Sequence, residues 1–433
     1  MTQPRRQLGL TAAIAVVTGE SIALGIFLTP AAMAKSLGSP LLLAMVWCAM
    51  SLMAMAGALC YSELASRFPQ SGGEYVYLRQ GYGERVAFLY GWMSAAVMDP
   101  GLAAALAVGA TAYVLAIVAV PHLLAVFIPA AILLGLAVNN YFGTRMSGRV
   151  MTTANLMKIS VLFALVAWAF GARRGSMSNL LPFATRRDGS EPLLPAVAGA
   201  VVNAFFSFGG WWEAGKLAGE IKDPRKNLPR AFLGGVALVT GVYVLISFAF
   251  LYVVPLQQIV SNNAFVAQFG AALFGKAGAR VLSVSVLISV LGGLMALTMA
   301  APRVYYAMAQ DGAFFPAFAR LHPRFGSPVS GILLQTGLGI ALVAFGAFDR
   351  ILAYIIFSAV IFLALSAAGL FRMAPRVSEW WYPAAPIVFI FGCMAIALLI
   401  LMHDPIPALL GVVIVAAGGL LRNFIPSAAR SRV

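Results

Sequence analysis

The sequence predicts an all-α integral membrane protein of twelve transmembrane helices, in a five-plus-five inverted-repeat arrangement with broken helices one and six. Three observations predict it. Hydrophobic residues make up 61% of the chain and charged residues only 10%, where a soluble domain carries about a quarter charged. Twelve apolar segments approach the roughly 20 residues that cross a bilayer, namely 10–34, 40–66, 85–118, 122–143, 150–171, 196–219, 229–254, 278–309, 329–347, 349–371, 381–401 and 405–424. The first and sixth of these are interrupted by small and polar residues at corresponding points of the two halves.

Taken in order, segments one to five (about 10–171) read as one repeat and six to ten (about 196–371) as a second, related by inversion. Helices eleven and twelve (about 381–424) complete a single transmembrane domain over 1–433. The third and eighth segments are long enough to tilt strongly. The connections are short and leave no room for a separate soluble domain. The basic start at Arg5 and Arg6 leads into an apolar run too long for a signal peptide, so it reads as the first span. A soluble amphipathic connector rich in Gly, Gln, Glu and Tyr is expected from Ser66 to Glu84.

The formal net charge of +15 is explained by its distribution. With the N-terminus inside and loops numbered alternately, nineteen of the 29 basic residues fall on the inner side and eight on the outer. Lys158 and Lys216 remain within or near the membrane. This is the positive-inside bias that sets topology. It puts both termini in the cytoplasm of a multi-pass cell-membrane protein, with lipid and not nucleic acid as the surrounding partner. Arg173, Arg174, Arg186 and Arg187, between helices five and six, run against that trend. Cys48, Cys60 and Cys393 all lie inside apolar segments, so no disulfide framework is implied.

The breaks carry the chemistry. The first reads Val17-Thr18-Gly19-Glu20-Ser21-Ile22-Ala23-Leu24-Gly25-Ile26-Phe27 and the second Phe206-Ser207-Phe208-Gly209-Gly210-Trp211-Trp212-Glu213-Ala214-Gly215-Lys216. Glycine weakens a helix, and a glutamate or lysine at bilayer depth is costly unless it faces a partner or a water-filled cavity. Glycines of this kind also serve as close-packing positions between helices. Two interrupted helices in corresponding positions nevertheless point to a carrier's binding site, where unwound backbone offers amides and carbonyls to a small solute.

Blocks along the chain resemble a known family. Gly25-Ile26-Phe27-Leu28-Thr29-Pro30 resembles the "GSGIF" region of amino acid–polyamine–organocation superfamily carriers. So do Tyr61-Ser62-Glu63-Leu64-Ala65 and Pro69-Gln70-Ser71-Gly72-Gly73-Glu74-Tyr75. Phe206 to Trp211, followed by Gly219-Glu220-Ile221-Lys222-Asp223-Pro224, looks like that family's sixth helix and the loop after it. Arg303-Val304-Tyr305-Tyr306 through Asp311-Gly312, with His322-Pro323 and Pro328, resembles the exit of its eighth helix. The ordered set, from residue 19 to 328, is most similar to the L-type amino acid transporters and their bacterial relatives.

The resemblance implies the inverted-repeat architecture and movement of amino acids or related amines by alternating access. It implies that backbone amides of Ser21, Ile22, Ala23, Leu24 and Gly25 hold a substrate carboxylate, since free amides at a helix start favour an anion. Carbonyls at Thr18 or Gly19 and from Phe206 through Ser207 and Phe208 to Gly209 would hold the amine. Phe206 would be an aromatic gate; simple helix packing is the alternative. No cofactor and no metal ligand set is implied. Some L-type members take an accessory subunit through an external cysteine, and no cysteine here lies in a predicted external loop, so no covalent partner is expected.

Lys158 aligns with a family lysine whose ammonium stands in for sodium between helices one and eight. Carbonyls near Thr18 and Gly19 and the hydroxyl of Ser289 would be its partners, against the alternative that it snorkels to the inner surface. Sodium-independent transport follows, by exchange or by proton coupling. Three acids depart from the family's pattern: Glu20 in the first break, Asp99 in helix three, and Glu213 after the second break. An ionised Glu20 would repel a carboxylate. It is therefore neutral, coupling a proton, or it meets a cation: Lys158, Lys216 or the solute itself. That last option would select polyamines or other cationic amines. Ala23-Leu24 replaces the usual Gly-Ser, and Leu24 crowds the pocket.

Other classes fit poorly. His122, His322 and His403 fall at predicted loops without metal-ligand spacing, and neither a GxSxG elbow nor a phosphate-cradling loop stands out, so the chain is not expected to be an enzyme. A pore would carry more repeated ionisable residues along its helix interiors.

Overall fold

The structure is a computed structural model that describes residues 4–259, 268–344, 348–373, 381–403 and 405–422. The ends of the predicted ninth and twelfth segments, 345–347 and 423–424, lie outside these residues, as do Arg376, Arg430 and Arg432 of the basic count. Helices α1 (Leu10–Ser21) and α2 (Gly25–Leu37) are followed by α3 (Pro40–Arg67), a short α4 (Glu74–Tyr82) and α5 (Glu84–Met93). A π-turn at Ser94–Met98 joins α5 to α6 (Asp99–Ile117). Then come α7 (His122–Ala125), α8 (Ile128–Tyr141), α9 (Thr144–Gly171), α10 (Leu193–Phe208) and α11 (Pro224–Val253). The chain ends with α12 (Gly270–Phe274), α13 (Gly278–Ala300), α14 (Pro302–Gln310), α15 (Val329–Ala344), α16 (Phe348–Ala368), α17 (Ala384–His403) and α18 (Pro405–Leu421).

Among the described residues there is no strand, only an isolated bridge between Leu8 and Ile221. Among the described residues eight helical stretches are long and apolar enough to cross a membrane, and a ninth if α1 and α2, bent by 42°, form one span. Val329–Ala344, Ile355–Phe371 and Ala408–Leu421 are shorter apolar helices. Large apolar side chains such as Leu134, Leu156, Phe391 and Leu420 point outward, as helices satisfied internally and bathed in lipid require. This is a multi-pass membrane protein.

Local sequence explains where helices start and stop. Gly38 takes φ +65° after Lys35 in the last turn of α2, a left-handed stop that glycine adopts cheaply. Ser39 then caps α3 by accepting from the Leu42 amide at 3.4 Å, with Pro40 in the first turn. At the centre α1 packs against α9, α11 and α13, while α3 runs along α11. Trp47 of α3 sits edge-on to Tyr243 of α11 at 5.2 Å and 6.0 Å from Phe208, so the second break rests on an aromatic shelf.

One expectation is corrected. The segment from Ser66 to Glu84 is not a soluble connector, because Glu74, Tyr75, Val76, Tyr77 and Leu78 of α4 are buried. Gly72 and Gly73 have φ +126° and +53° and press their backbones against Ala307 and Lys216. A methyl on Gly73 would lie 2.9 Å from Lys216 Cγ. Polar composition suggested water, but the partners of these side chains come from distant parts of the chain.

Candidate functional site

The two breaks interlock. Helix α1 ends at Ser21 and α2 begins at Gly25; α10 ends at Phe208 and the chain turns at Gly209-Gly210 into a short 3-10 turn, Trp211–Gly215. Gly210 holds φ +93°, and a methyl there would lie 2.4 Å from Glu20 Cγ. A methyl on Gly25 would lie 2.6 Å from Ser207 Cα. Each break therefore uses a glycine to admit the other. Thr29 and Ser207 hydroxyls meet at 2.7 Å, and Ser21 Oγ donates to the Phe208 carbonyl at 3.1 Å. The Tyr243 hydroxyl reaches the carbonyls of both Ser21 and Ser207, the latter at 2.5 Å. Tyr243 was missed by sequence reasoning, since its partners lie 222 and 36 residues away.

Gly25→Ala is expected to cost about 1–3 kcal/mol, because the added methyl meets rigid backbone and not a flexible side chain. A melting temperature in detergent equal to that of the parent protein would contradict this.

A chamber of about 70 Å³ opens beside the breaks. Of the residues predicted for the site, Glu20, Ser21, Ala23, Leu24, Gly25, Phe206 and Gly209 line it. Asp99 and Glu213 join them, with Met98, Leu102, Leu106, Trp212, Ile355 and Ile356 as apolar wall. Phe206 is half-buried at the chamber surface. The Ile22 amide returns to the Thr18 carbonyl at 3.0 Å, whereas those of Ala23, Leu24 and Gly25 have no hydrogen-bond acceptor among the described residues.

Thr18, Gly19, Ile22, Ser207 and Phe208 do not line the chamber; they are packing and hydrogen-bonding elements of the breaks. Five of the six carbonyls expected to hold an amine already accept one hydrogen bond: Thr18 from Ile22, Gly19 from Lys158, Phe206 from the Gly209 amide, Ser207 from Tyr243 and Phe208 from Ser21. A broken helix exposes carbonyls, and neighbouring helices compete for them with any solute.

Lys158 lies on α9, only 2% exposed. Its ammonium donates to the carbonyls of Gly19 and Ile22, each at 2.8 Å. Ser289 on α13 donates to the same Ile22 carbonyl at 2.6 Å and to Ala23 at 3.3 Å. This corrects the expected partners: Ile22 takes the place given to the Thr18 carbonyl, and Ser289 meets Lys158 through a shared acceptor, not directly. Asn155, one turn before Lys158, donates to Thr18 Oγ1 at 2.7 Å. Two groups of α9 and one of α13 thus hold the C-terminal end of α1, where a cation complements exposed carbonyls.

The floor of the chamber is a charge cluster. Lys216, 0% exposed, lies 3.1 Å from Asp99 Oδ1 and 2.7 Å from Glu213 Oε1. The hydroxyls of Ser94 and Tyr305 (3.4 Å) donate to Asp99 Oδ2. Glu74 accepts from the Tyr90 hydroxyl at 3.0 Å and lies within electrostatic reach of Lys216. Two of the Asp99 partners, Lys216 and Tyr305, sit 117 and 206 residues away and could not be read from the sequence around it. Glu20 pairs with neither candidate lysine: Lys158 is spent on carbonyls and Lys216 on the other acids.

Another cavity, of about 480 Å³, opens on the face that carries Pro4 and Arg6, beside Ser71, Arg79, Gly219 and Asp311. Arg303 and Glu220, the latter following Gly219 of that lining, pair at 2.6 Å and are 3% and 4% exposed at their side chains. The Glu220 carbonyl accepts the amides of Gln7 and Leu8 at 2.8 and 3.0 Å, so the residues before α1 are tied to the chain after the second break.

Comparison with known proteins places this geometry in context. A family model described as "Amino acid permease" matches residues 8–417. The chain is 28% identical to a serine/threonine exchanger of Bacillus subtilis (strain 168), over 96% of this chain and 95% of that protein. It is 27% identical to the large neutral amino acids transporter small subunit 2 of Mus musculus, over 96% and 80%. It is 24% identical to the human cystine/glutamate transporter, over 96% and 84%. With two interlocked broken helices and a match along almost its whole length, the chain belongs to the amino acid permease family.

Proposed function

We propose that the chain is a secondary carrier of amino acids, a twelve-span protein with two inverted five-helix repeats that works by alternating access and without sodium. The observation that supports it most is the Lys158 ammonium, fixed 2.8 Å from two carbonyls at the end of α1. The amine there occupies the place between these carbonyls that an alkali ion would need. The free amides of Ala23, Leu24 and Gly25 suit a substrate carboxylate. Phe206 is poised at the chamber to close over bound solute. The relatives are permeases and exchangers, so the chain is a transporter and not an enzyme.

Exchange is the coupling mode favoured by the relatives' names. Proton-driven uptake is the second reading, favoured by Glu20, whose buried Oε2 has no partner. The inner excess of basic residues supports cytoplasmic termini. One relative is named as the small subunit of a transporter; here Cys60 and Cys393 are buried and Cys48 sits on the α3 surface, and the expectation of no disulfide-linked partner is kept as part of this proposal.

The test is counterflow in proteoliposomes loaded with unlabelled amino acids. Replacing sodium by choline on both sides is expected to change the initial rate by less than about twofold. A loss of about tenfold or more would overturn the assignment of Lys158. Equal exchange and net uptake, both rising with an imposed inward proton gradient, would replace exchange by proton coupling.

A further inference from the structure

The chamber's ionisable lining is entirely acidic among the described residues: Glu20, Asp99 and Glu213, with no lysine, arginine or histidine on its wall. Lys216 lies behind that wall, and its ammonium is shared by Asp99 and Glu213. Asp99 is satisfied at both oxygens, by Lys216 on one and by Ser94 and Tyr305 on the other. Glu213 is not. Its Oε1 meets Lys216, while its Oε2 is buried without a partner. Glu20 makes no hydrogen bond or ion pair among the described residues, and its Oε2 is likewise buried and unpartnered. Both residues are more than nine-tenths buried, Glu20 at 7% and Glu213 at 1% exposure.

These two carboxyl groups share one corner. Glu20 packs on Gly210, whose carbonyl accepts the Glu213 amide at 3.1 Å, and the two acids lie within electrostatic reach of each other. Buried carboxyl oxygens without donors carry a desolvation cost that a cation would remove. A primary ammonium brings three donors on a compact head, enough to serve both orphan oxygens. Leu24, Leu102 and Leu106 offer an apolar sleeve that fits an alkyl stem.

We propose that the solute carries a primary ammonium on an alkyl chain, in excess over its carboxylates, and that Glu20 and Glu213 form the subsite that receives it. The inference rests on the carrier reading and deepens it by naming the substrate class. Basic amino acids and α,ω-diamines share this chemistry; only the former also use the free amides of Ala23 to Gly25. Lys216, Ser94 and Tyr305 together satisfy both oxygens of Asp99, so two acids and not three are left with an open acceptor for the solute.

Proteoliposomes are loaded in turn with unlabelled lysine, cadaverine, leucine or Nε-acetyl-lysine, and the labelled form of the same compound is supplied outside. Lysine and cadaverine are expected to exchange faster than leucine and Nε-acetyl-lysine by about tenfold or more, because a site with unpaired acceptors rejects an analogue lacking the donor. Faster exchange of lysine than of cadaverine identifies an amino acid carrier, and the reverse a diamine carrier. Glu20→Gln and Glu213→Gln are each expected to lower the lysine-to-leucine ratio by about tenfold. A ratio near one in the parent protein overturns the inference while leaving the carrier reading standing. A ratio unchanged in both variants overturns the subsite. Absence of flux for all four compounds and for serine overturns the carrier reading itself, and this inference with it.

Discussion

Lys158→Met is expected to lower the initial rate of amino acid exchange by roughly a thousandfold. Methionine keeps the unbranched stem and removes the donors, so packing against α1 changes little while the Gly19 and Ile22 carbonyls lose a charged partner. Hydrogen bonds to charged groups are worth about 1.5–3 kcal/mol each, so two amount to roughly 3–6 kcal/mol. A rate change of about a thousandfold corresponds to ~4 kcal/mol, inside that range. Ser289 still donates to Ile22 at 2.6 Å, which preserves the position of the break but not its charge. The variant should therefore fold and yet fail to exchange. Counterflow assays with matched protein content decide it: activity within about threefold of the parent would show that the ammonium is a packing element and not part of the transport cycle.

Arg303→Met is expected to destabilise the protein by about 3–5 kcal/mol, the cost of stranding one member of a buried ion pair. Arg303 Nε lies 2.6 Å from Glu220 Oε1, and Nη2 bonds Thr144 Oγ1 at 3.0 Å and Glu220 Oε2 at 3.3 Å. Another guanidinium nitrogen reaches the Met299 carbonyl. The Glu220 carboxylate would keep only Thr144 while remaining buried. Because Glu220 also anchors Gln7 and Leu8 through its carbonyl, strain at this point spreads to the entry of α1. Adding Glu220→Gln to Arg303→Met removes the stranded charge and is expected to recover at least about half of the loss. Melting in detergent checks both steps. A double variant as unstable as the sum of the single ones would show that the pair does not act as a unit.

Much of the fold is legible in residues taken locally. Several of the apolar segments correspond to helices with ends close to those read from composition, for example Pro40–Arg67 for 40–66 and Glu84–Ile117 for 85–118. The glycines at 25 and 210 mark the breaks because a side chain would strike the Ser207 backbone at the first and the Glu20 side chain at the second. Lys158 stands out because an apolar helix has no other reason to carry a lysine at that depth. The acids at 20, 99 and 213 stand out for the same reason.

What those charges do is a different matter. Glu20 had three candidate cations in the sequence, and the lysines among them turn out to be occupied elsewhere. Asp99 and Glu213 appeared as separate anomalies, and the fold joins them through Lys216. The stretch around Glu74 looked like a watery connector, and the fold buries it under that same lysine. The carbonyls of Thr18 and Gly19 looked open, and Ile22 and Lys158 close them.

By itself the sequence determined a membrane protein of apolar helices, two of them broken, with a lysine and several acids at costly depth. Hydropathy and glycine content act over single turns and spans, so they can be read along the chain. Only the tertiary structure decided which carbonyls, acids and lysines pair. The bonds of Lys158 to Gly19, Lys216 to Asp99 and Tyr305 to Asp99 cross 117 to 206 residues of chain, and nothing in local composition encodes which distant side chain arrives first.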